Sequence, residues 1–219
     1  MTDLPTGTVT LLFTDIEGST RLLHTLGPRY RDALEHHRAL LRDAFVSQGT
    51  EVDTQGDAFF YAFPTPRKAL QAAVKAQKAL QDHPWPQGAE LRVRMGIHTG
   101  TPEVTDEGYV GADVHLAARI CAAAWGGQIL TSPTTASHLS SAPDLTLRPL
   151  GPHVLKDIEN PVELFQVIAP GLRADFPPPR TTGSHPTNLP ARPKPLIGRD
   201  QELSTLTELL TTPEVSLGD

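Results

Sequence analysis

The stretch VTLLFTDIEGSTR, residues 9–21, reads as a strand that runs directly into a helix. Val9, Leu11 and Phe13 alternate with Thr10, Leu12 and Thr14, a β-branched, aliphatic and aromatic run of the length of a strand buried on both faces. It ends in Asp15, and Gly18, Ser19 and Thr20 follow at once, ahead of an apolar helical pattern. A carboxylate at a strand end, beside backbone N–H groups that open a helix, suits a metal-bound polyphosphate. The hard cation takes carboxylate oxygen, and the helix start takes phosphate oxygens. The plainer alternative is that Asp15 merely caps the following helix.

Working outward, residues 17–26 form that helix, Gly27 closes it and Pro28 opens the next. In the second helix Tyr30, Ala33, Leu34, His37, Leu41, Ala44 and Phe45 recur at spacings of three and four, one buried stripe. His36 and His37 are adjacent, so they do not face one target, and a buried His37 is the better reading than a metal pair. Residues 50–55 and 57–63 then read as two strands joined around Gln55-Gly56, a tight hairpin. Asp57 opens the second of them, DAFFYAF, which is apolar enough to be central in a sheet. Thr65-Pro66 starts a further helix, and residues 91–100 alternate as a strand with one polar face.

Residues 102–109 look like a short hairpin arm, and residues 110–124 like a helix on which His115 and Arg119 share a face. Residues 128–131 are expected as a strand, Ser132-Pro133 as a capped helix start, and residues 145–154 and 162–168 as an edge hairpin. From 170 to 195 eight of 26 residues are proline without apolar periodicity, a linker that is extended and partly polyproline-like. Helical periodicity resumes at residues 196–210.

Composition narrows the function classes. A chain of 219 residues can hold one well-cored domain and an appendage. Its net charge of −6 argues against direct nucleic-acid binding, which favours a basic face. A single cysteine, Cys121, excludes an internal disulfide and a cysteine-based zinc site, and its Ala-rich helical surroundings make it a small buried hydrophobe. No run approaches the ~18 apolar residues of a membrane span, and the N-terminus lacks the basic and apolar regions of a signal peptide. A cytoplasmic protein without membrane association is expected.

If the strands that carry Asp15 and Asp57 are neighbours, their carboxylates converge at one end of the sheet. Two carboxylates beside a phosphate cradle are what two-metal phosphoryl transfer needs, and Arg119 could supply positive charge to the reacting phosphorus.

The segments FTDIEGST (13–20), VDTQGDAFF (52–60), RMGIHTG (94–100) and VGADVHLAARI (110–120), in this order and spacing, closely resemble the catalytic domain of class III adenylate and guanylate cyclases. The resemblance runs from about residue 8 to residue 168 and includes LKDIENPVELFQV at 155–167. It implies an α/β fold of the α+β sandwich kind: a central, largely antiparallel sheet flanked by helices, a ferredoxin-like cyclase core. It also implies a head-to-tail homodimer with shared active sites, a purine nucleoside triphosphate as substrate, and two divalent cations, Mg²⁺ or Mn²⁺. By the same resemblance Asp15 and Asp57 match the metal-binding aspartates, and the Ile16 carbonyl an added backbone ligand. Glu17, Gly18, Ser19 and Thr20 match the stretch whose amides hold the phosphates. Arg119 matches the transition-state arginine contributed by the partner, and Lys156 the triphosphate-binding lysine.

Three positions depart from the family pattern. His115 stands where an asparagine usually orients the ribose. Asp53 stands where adenylate cyclases carry a lysine and guanylate cyclases a glutamate that read the base. Gly108 falls on the second base-reading position and has no side chain. Base choice between ATP and GTP is therefore poorly specified. A catalytically weak or silent cyclase-homology domain, acting as a nucleotide-sensing and dimerising module, is the alternative reading. The segment LIGRDQEL (196–203) is similar to the opening of signalling ATPase domains, but no G-x-x-x-x-G-K-[ST] loop precedes Asp219. The expected organisation is thus a cyclase domain at 1–169, a Pro-rich linker at 170–195, and the beginning of an incomplete ATPase-like segment at 196–219.

Overall fold

A computed structural model describes residues 4–86, 89–106, 108–139 and 146–181. All of them belong to one compact unit, residues 1–184. The expected ATPase-like segment lies outside the described residues.

Strand β1 (Val9–Ile16) lies at the heart of a seven-stranded sheet. It is flanked by β3 (Ala58–Phe63) and β4 (Val93–Gly100), both antiparallel to it. Strand β2 (Thr50–Gln55) forms one edge through its hairpin with β3. On the other side β4 pairs parallel with β7 (Ile129–Thr131), and β9 (Val162–Ile168) and β8 (Thr146–His153) follow as the edge hairpin. The order is β2-β3-β1-β4-β7-β9-β8, mixed but largely antiparallel. Strands β5 (Glu103–Thr105) and β6 (Gly108–Val110) form a separate short hairpin.

The two-residue side-chain period of β1 divides the core. Leu12 and Ile16 join the layer of α2 (Tyr30–Phe45) and α3 (Pro66–Asp82), packed on Phe45, Phe59, Leu70 and Met95. Val9 and Leu11 face the opposite side with Phe60, Ala62 and Ala117, where α4 (Ala112–Ala123) lies. Each of these buried side chains other than the two alanines stabilises the fold by roughly 1.5–3 kcal/mol relative to exposure. Two short helices, α1 (Ser19–Leu26) and α5 (Pro133–Ser137), complete the unit. Thr65 caps α3 and Ser132 caps α5, each accepting a backbone N–H with its hydroxyl.

The element order agrees with the pattern reading, and the differences are local. Val110, expected in a helix, ends β6 instead, because pairing with Glu103 outweighs the helical periodicity that begins two residues later. The helix expected over 17–26 begins only at Ser19, since Glu17 N–H still donates to the Arg92 carbonyl at 2.9 Å as an extension of the sheet. His37 is fully buried in α2, as the stripe implies. Among the described residues no helix is long and apolar enough to cross a membrane.

Candidate active site

The antiparallel pairing of β1 with β3 sets Thr14 opposite Phe59, so Asp15 and Asp57 stand at the same end of adjacent strands. The Tyr30 phenol registers both. Burial raises its pKa first, Asp57 adds to the rise, Arg38 opposes it, and Asp15 raises it further. The two carboxylates differ in their surroundings. Asp15 lies directly across from Arg94 on β4, whose Nε donates to Asp15 Oδ2 at 2.8 Å and whose Nη2 donates to the same oxygen. Asp57 Oδ2 is buried with no hydrogen-bond partner. The hairpin tip beside it is held by Arg38, which donates from Nε to the Gly56 carbonyl at 3.2 Å and from Nη2 at 2.5 Å.

Asp15 does not cap α1. The cap position is Gly18, in the left-handed region at φ 67°, where a residue without Cβ is favoured. Its carbonyl accepts from Leu22 N–H at 3.0 Å. Ser19 and Thr20 fall in the first turn of the helix, whose amides lack intrahelical partners. Of the expected phosphate-holding stretch, Glu17 therefore departs: its amide is already used by the sheet, which leaves Gly18, Ser19 and Thr20.

Helix α4 carries His115 and Arg119 on one face, as their spacing implies. With Ala112, Asp157 and Ile158 they line an open pocket of about 400 Å³, and neither Asp15 nor Asp57 lines it. Arg119 Nη2 donates to Asp157 Oδ2 at 2.5 Å. Asp157 adopts a positive φ of 60°, and Lys156 beside it is exposed.

The position of α4 is tightly determined. A Cβ on Gly96 would lie 2.2 Å from Cys121 N, so helix and strand backbones meet directly there, and one on Gly100 would lie 2.2 Å from Asp113 Cγ, where the aspartate side chain fills the space. His98 bridges Asp113 Oδ1 through Nε2 at 2.9 Å and Ser132 Oγ through Nδ1 at 2.8 Å. Burial alone would push Asp113 up, but hydrogen bonds from His98 and the Thr101 N–H outweigh it and hold the carboxyl below its ordinary range. Cys121, buried in the same contact, has its thiol pushed up to about 12 chiefly by that burial.

The two positions expected to read the base, Asp53 and Gly108, lie on neighbouring segments at the other edge. A Cβ on Gly108, which has φ 126°, would lie 3.3 Å from Val52 Cγ1, next to Asp53. Asp53 is exposed, and its carboxylate is engaged within its own strand. Oδ1 accepts from the Thr54 N–H at 2.7 Å and Oδ2 from Gln55 Nε2 at 2.8 Å. Nearby, Arg42 anchors β2 to α2 through Glu51, whose carboxyl is lowered to about 2 mainly by that hydrogen bond.

Pattern reading missed Arg94, Arg38 and the His98–Asp113 pair. The first was visible as the polar side of LRVRMG, but only the strand register sets it opposite Asp15.

Comparison with known proteins identifies the family. Residues 1–168 match the adenylate and guanylate cyclase catalytic domain family. The chain is 34% identical over 206 residues to an uncharacterised protein of Mycobacterium tuberculosis, covering 91% of this chain and 70% of that one. It is 37% identical over 154 residues to an adenylate cyclase of Lachancea kluyveri, covering 58% of this chain and 8% of that much longer protein. Among solved structures, a Trypanosoma brucei adenylate cyclase in its monomeric state superposes with a TM-score of 0.74 at 27% identity, over 82% of this chain and 95% of that one. The chain belongs to the adenylate and guanylate cyclase catalytic domain family, the class III nucleotide cyclases.

Proposed function

We propose that this chain converts a purine nucleoside triphosphate into its 3′,5′-cyclic monophosphate and pyrophosphate. The reading is carried by Asp57 Oδ2, a buried carboxylate oxygen without a partner at the sheet end that also presents Asp15. A buried anionic oxygen is costly unless a cation meets it. Asp15, Asp57 and the Ile16 carbonyl form an all-oxygen donor set that suits two Mg²⁺ or Mn²⁺ ions. When bound, such ions polarise the 3′-oxygen and offset the charge of the triphosphate.

The remaining roles fall to the chain. Amides of Gly18, Ser19 and Thr20 take phosphate oxygens at the start of α1. The 3′-hydroxyl oxygen gives its proton to solvent and bonds to the α-phosphorus as the bond to pyrophosphate breaks. Arg119 stabilises the charge that develops there, Lys156 binds the triphosphate, and His115 donates to the ribose. Arg119 and His115 come from a second copy, a reading supported by their pocket, which neither aspartate lines within one chain, and Lys156, next to Asp157 of that pocket, comes with them. The assembly is a head-to-tail homodimer with shared sites.

The test is incubation of the purified protein with ATP or GTP and Mn²⁺, followed by chromatography. Cyclic product is expected from both, at rates within about tenfold, since Gly108 reads nothing and the Asp53 oxygens already accept two hydrogen bonds. Absence of cyclic product from either nucleotide overturns the enzyme reading. Retained triphosphate binding would then favour the nucleotide-sensing module, the reading to which the engaged Asp53 lends support.

The shared site has its own test. Asp57→Ala and Arg119→Ala proteins are each expected to be inactive, whereas an exchanged mixture should recover up to about one quarter of wild-type activity, because a mixed dimer keeps one intact site. No recovery after demonstrated subunit exchange would overturn the distributed site.

A further inference from the structure

Beyond the last strand, residues 171–181 do not leave the domain. They run extended across it, held first by Gln166 Nε2 and Arg148 Nη1, which donate to the Ala174 carbonyl at 2.6 and 3.1 Å. Trp125 Nε1 then donates to the Pro178 carbonyl at 2.9 Å, and Arg180 N–H to the Ala123 carbonyl at 2.8 Å. The Arg180 guanidinium stacks 4.4 Å from the Trp125 ring centre and donates from Nη1 to Glu17 Oε1 at 3.1 Å. Glu17 immediately precedes Gly18, and its side chain is only 18% exposed. Its other oxygen lies against Gly126, where a Cβ would come within 2.8 Å of Oε2. The carboxylate is therefore seated in a slot and neutralised by a residue 163 positions away.

We propose that residues 171–181 form a strap that holds the loop at residues 17–20 ready for triphosphate, with Arg180 a positioning residue acting through Glu17. The proposal rests on the cyclase reading of that loop. Without Arg180 the Glu17 carboxylate loses its ion pair beside the place where a polyanion must bind, and only the slot against Gly126 still holds its side chain. The contacts of Arg180 are to Glu17, Trp125 and the Ala123 carbonyl, and none is to Asp15 or Asp57. Its effect is on the loop, so it should appear in triphosphate affinity more than in the bond-making step. Anything that peels the strap from Trp125 would weaken nucleotide binding by the same route.

The experiment uses the full chain carrying Arg180→Gln, Arg180→Lys, Glu17→Gln, and Arg180→Gln with Glu17→Gln. For Arg180→Gln the KM for nucleotide with Mn²⁺ should rise roughly fivefold to tenfold while kcat changes less than about twofold, the size of an ion pair together with a guanidinium–indole contact. Arg180→Lys, which keeps the charge, should recover most of the KM. In the Glu17→Gln background the Arg180 substitution should have a clearly smaller effect, because only the indole contact is left to lose. The protein has two tryptophans, so in a Trp85→Phe background Trp125 emission reports the strap directly and should shift in Arg180→Gln. An unchanged KM, a fall in kcat alone, or full additivity of the two substitutions would overturn the proposal. If the wild type forms no cyclic product, the cyclase reading fails by itself. The strap is then judged by the Kd of 3′-deoxy-ATP with Mn²⁺, where the same fivefold to tenfold loss is expected and an equal Kd, or no binding at all, overturns it.

Discussion

Replacing Asp57 by alanine is expected to lower cyclic-nucleotide formation by at least about 10²-fold, with no loss of stability in the absence of metal. The two halves of that result have one cause. Asp57 Oδ2 is buried without a partner, so in the metal-free protein this oxygen carries a desolvation cost that no hydrogen bond to it offsets. An unmet buried acceptor costs about 1–3 kcal/mol, which the alanine variant no longer carries. Thermal melts should show an Asp57→Ala protein at least as stable as the wild type without metal, and a smaller upward shift on adding Mn²⁺. Asp15→Ala should behave differently. It leaves Arg94 without the carboxylate that faces it across the strands, so metal-free stability should fall along with activity. Activity undiminished in both variants would remove the two-metal reading, and an Asp57→Ala protein that melts well below the wild type without metal would contradict the account of its carboxylate.

This asymmetry between two aspartates marks how far pattern reading reaches. The convergence of Asp15 and Asp57 was legible, because a tight hairpin and an apolar run of strand length suggest central neighbours. The shared face of His115 and Arg119 follows from helical spacing, and the burial of Cys121 and His37 from the stripes they sit in. What was not legible depends on register or on distant parts of the chain. Arg94 meets Asp15 only because β4 pairs with β1 in one register out of several that alternation alone allows. The loss of the Glu17 amide to the Arg92 carbonyl is a further consequence of that pairing. Val110 joins a strand because β5 lies beside it, a tertiary preference that overrides the local helical pattern. The Arg180–Glu17 contact has no local signal at all. Proline content identifies residues 170–181 as extended, and contacts with Trp125, Gln166, Arg148 and the Ala123 carbonyl determine where the segment is docked.

Acid should unfold the wild type more readily than a His37→Leu variant, by about 2 kcal/mol of additional stability lost between pH 7.5 and pH 5. His37 is fully buried on α2, its ring stands edge-on to Phe59 at 5.9 Å, and neither ring nitrogen has a hydrogen-bond partner. Burial, assisted by the nearby positive charge of Arg38, lowers its pKa from 6.5 to about 4. The sign follows from which state takes the proton. Above pH 6.5 the imidazole is neutral in both states, and folding has no proton to exclude. Between 6.5 and about 4 the unfolded chain binds a proton that the folded one refuses, so stability drops as pH falls and levels off once the folded state also protonates. The leucine variant removes this term and two unmet polar atoms together, so it should also be the more stable protein at pH 7.5. The protein has nine histidines, but the other eight are common to both proteins and cancel in the difference. Urea unfolding at the two pH values measures it. Equal acid losses in wild type and variant would mean that His37 finds a proton acceptor in the folded state. The consequence reaches the candidate site, because Phe59 sits on the strand that follows Asp57: protonation that loosens α2 from β3 loosens the support of the hairpin end where the metal is expected.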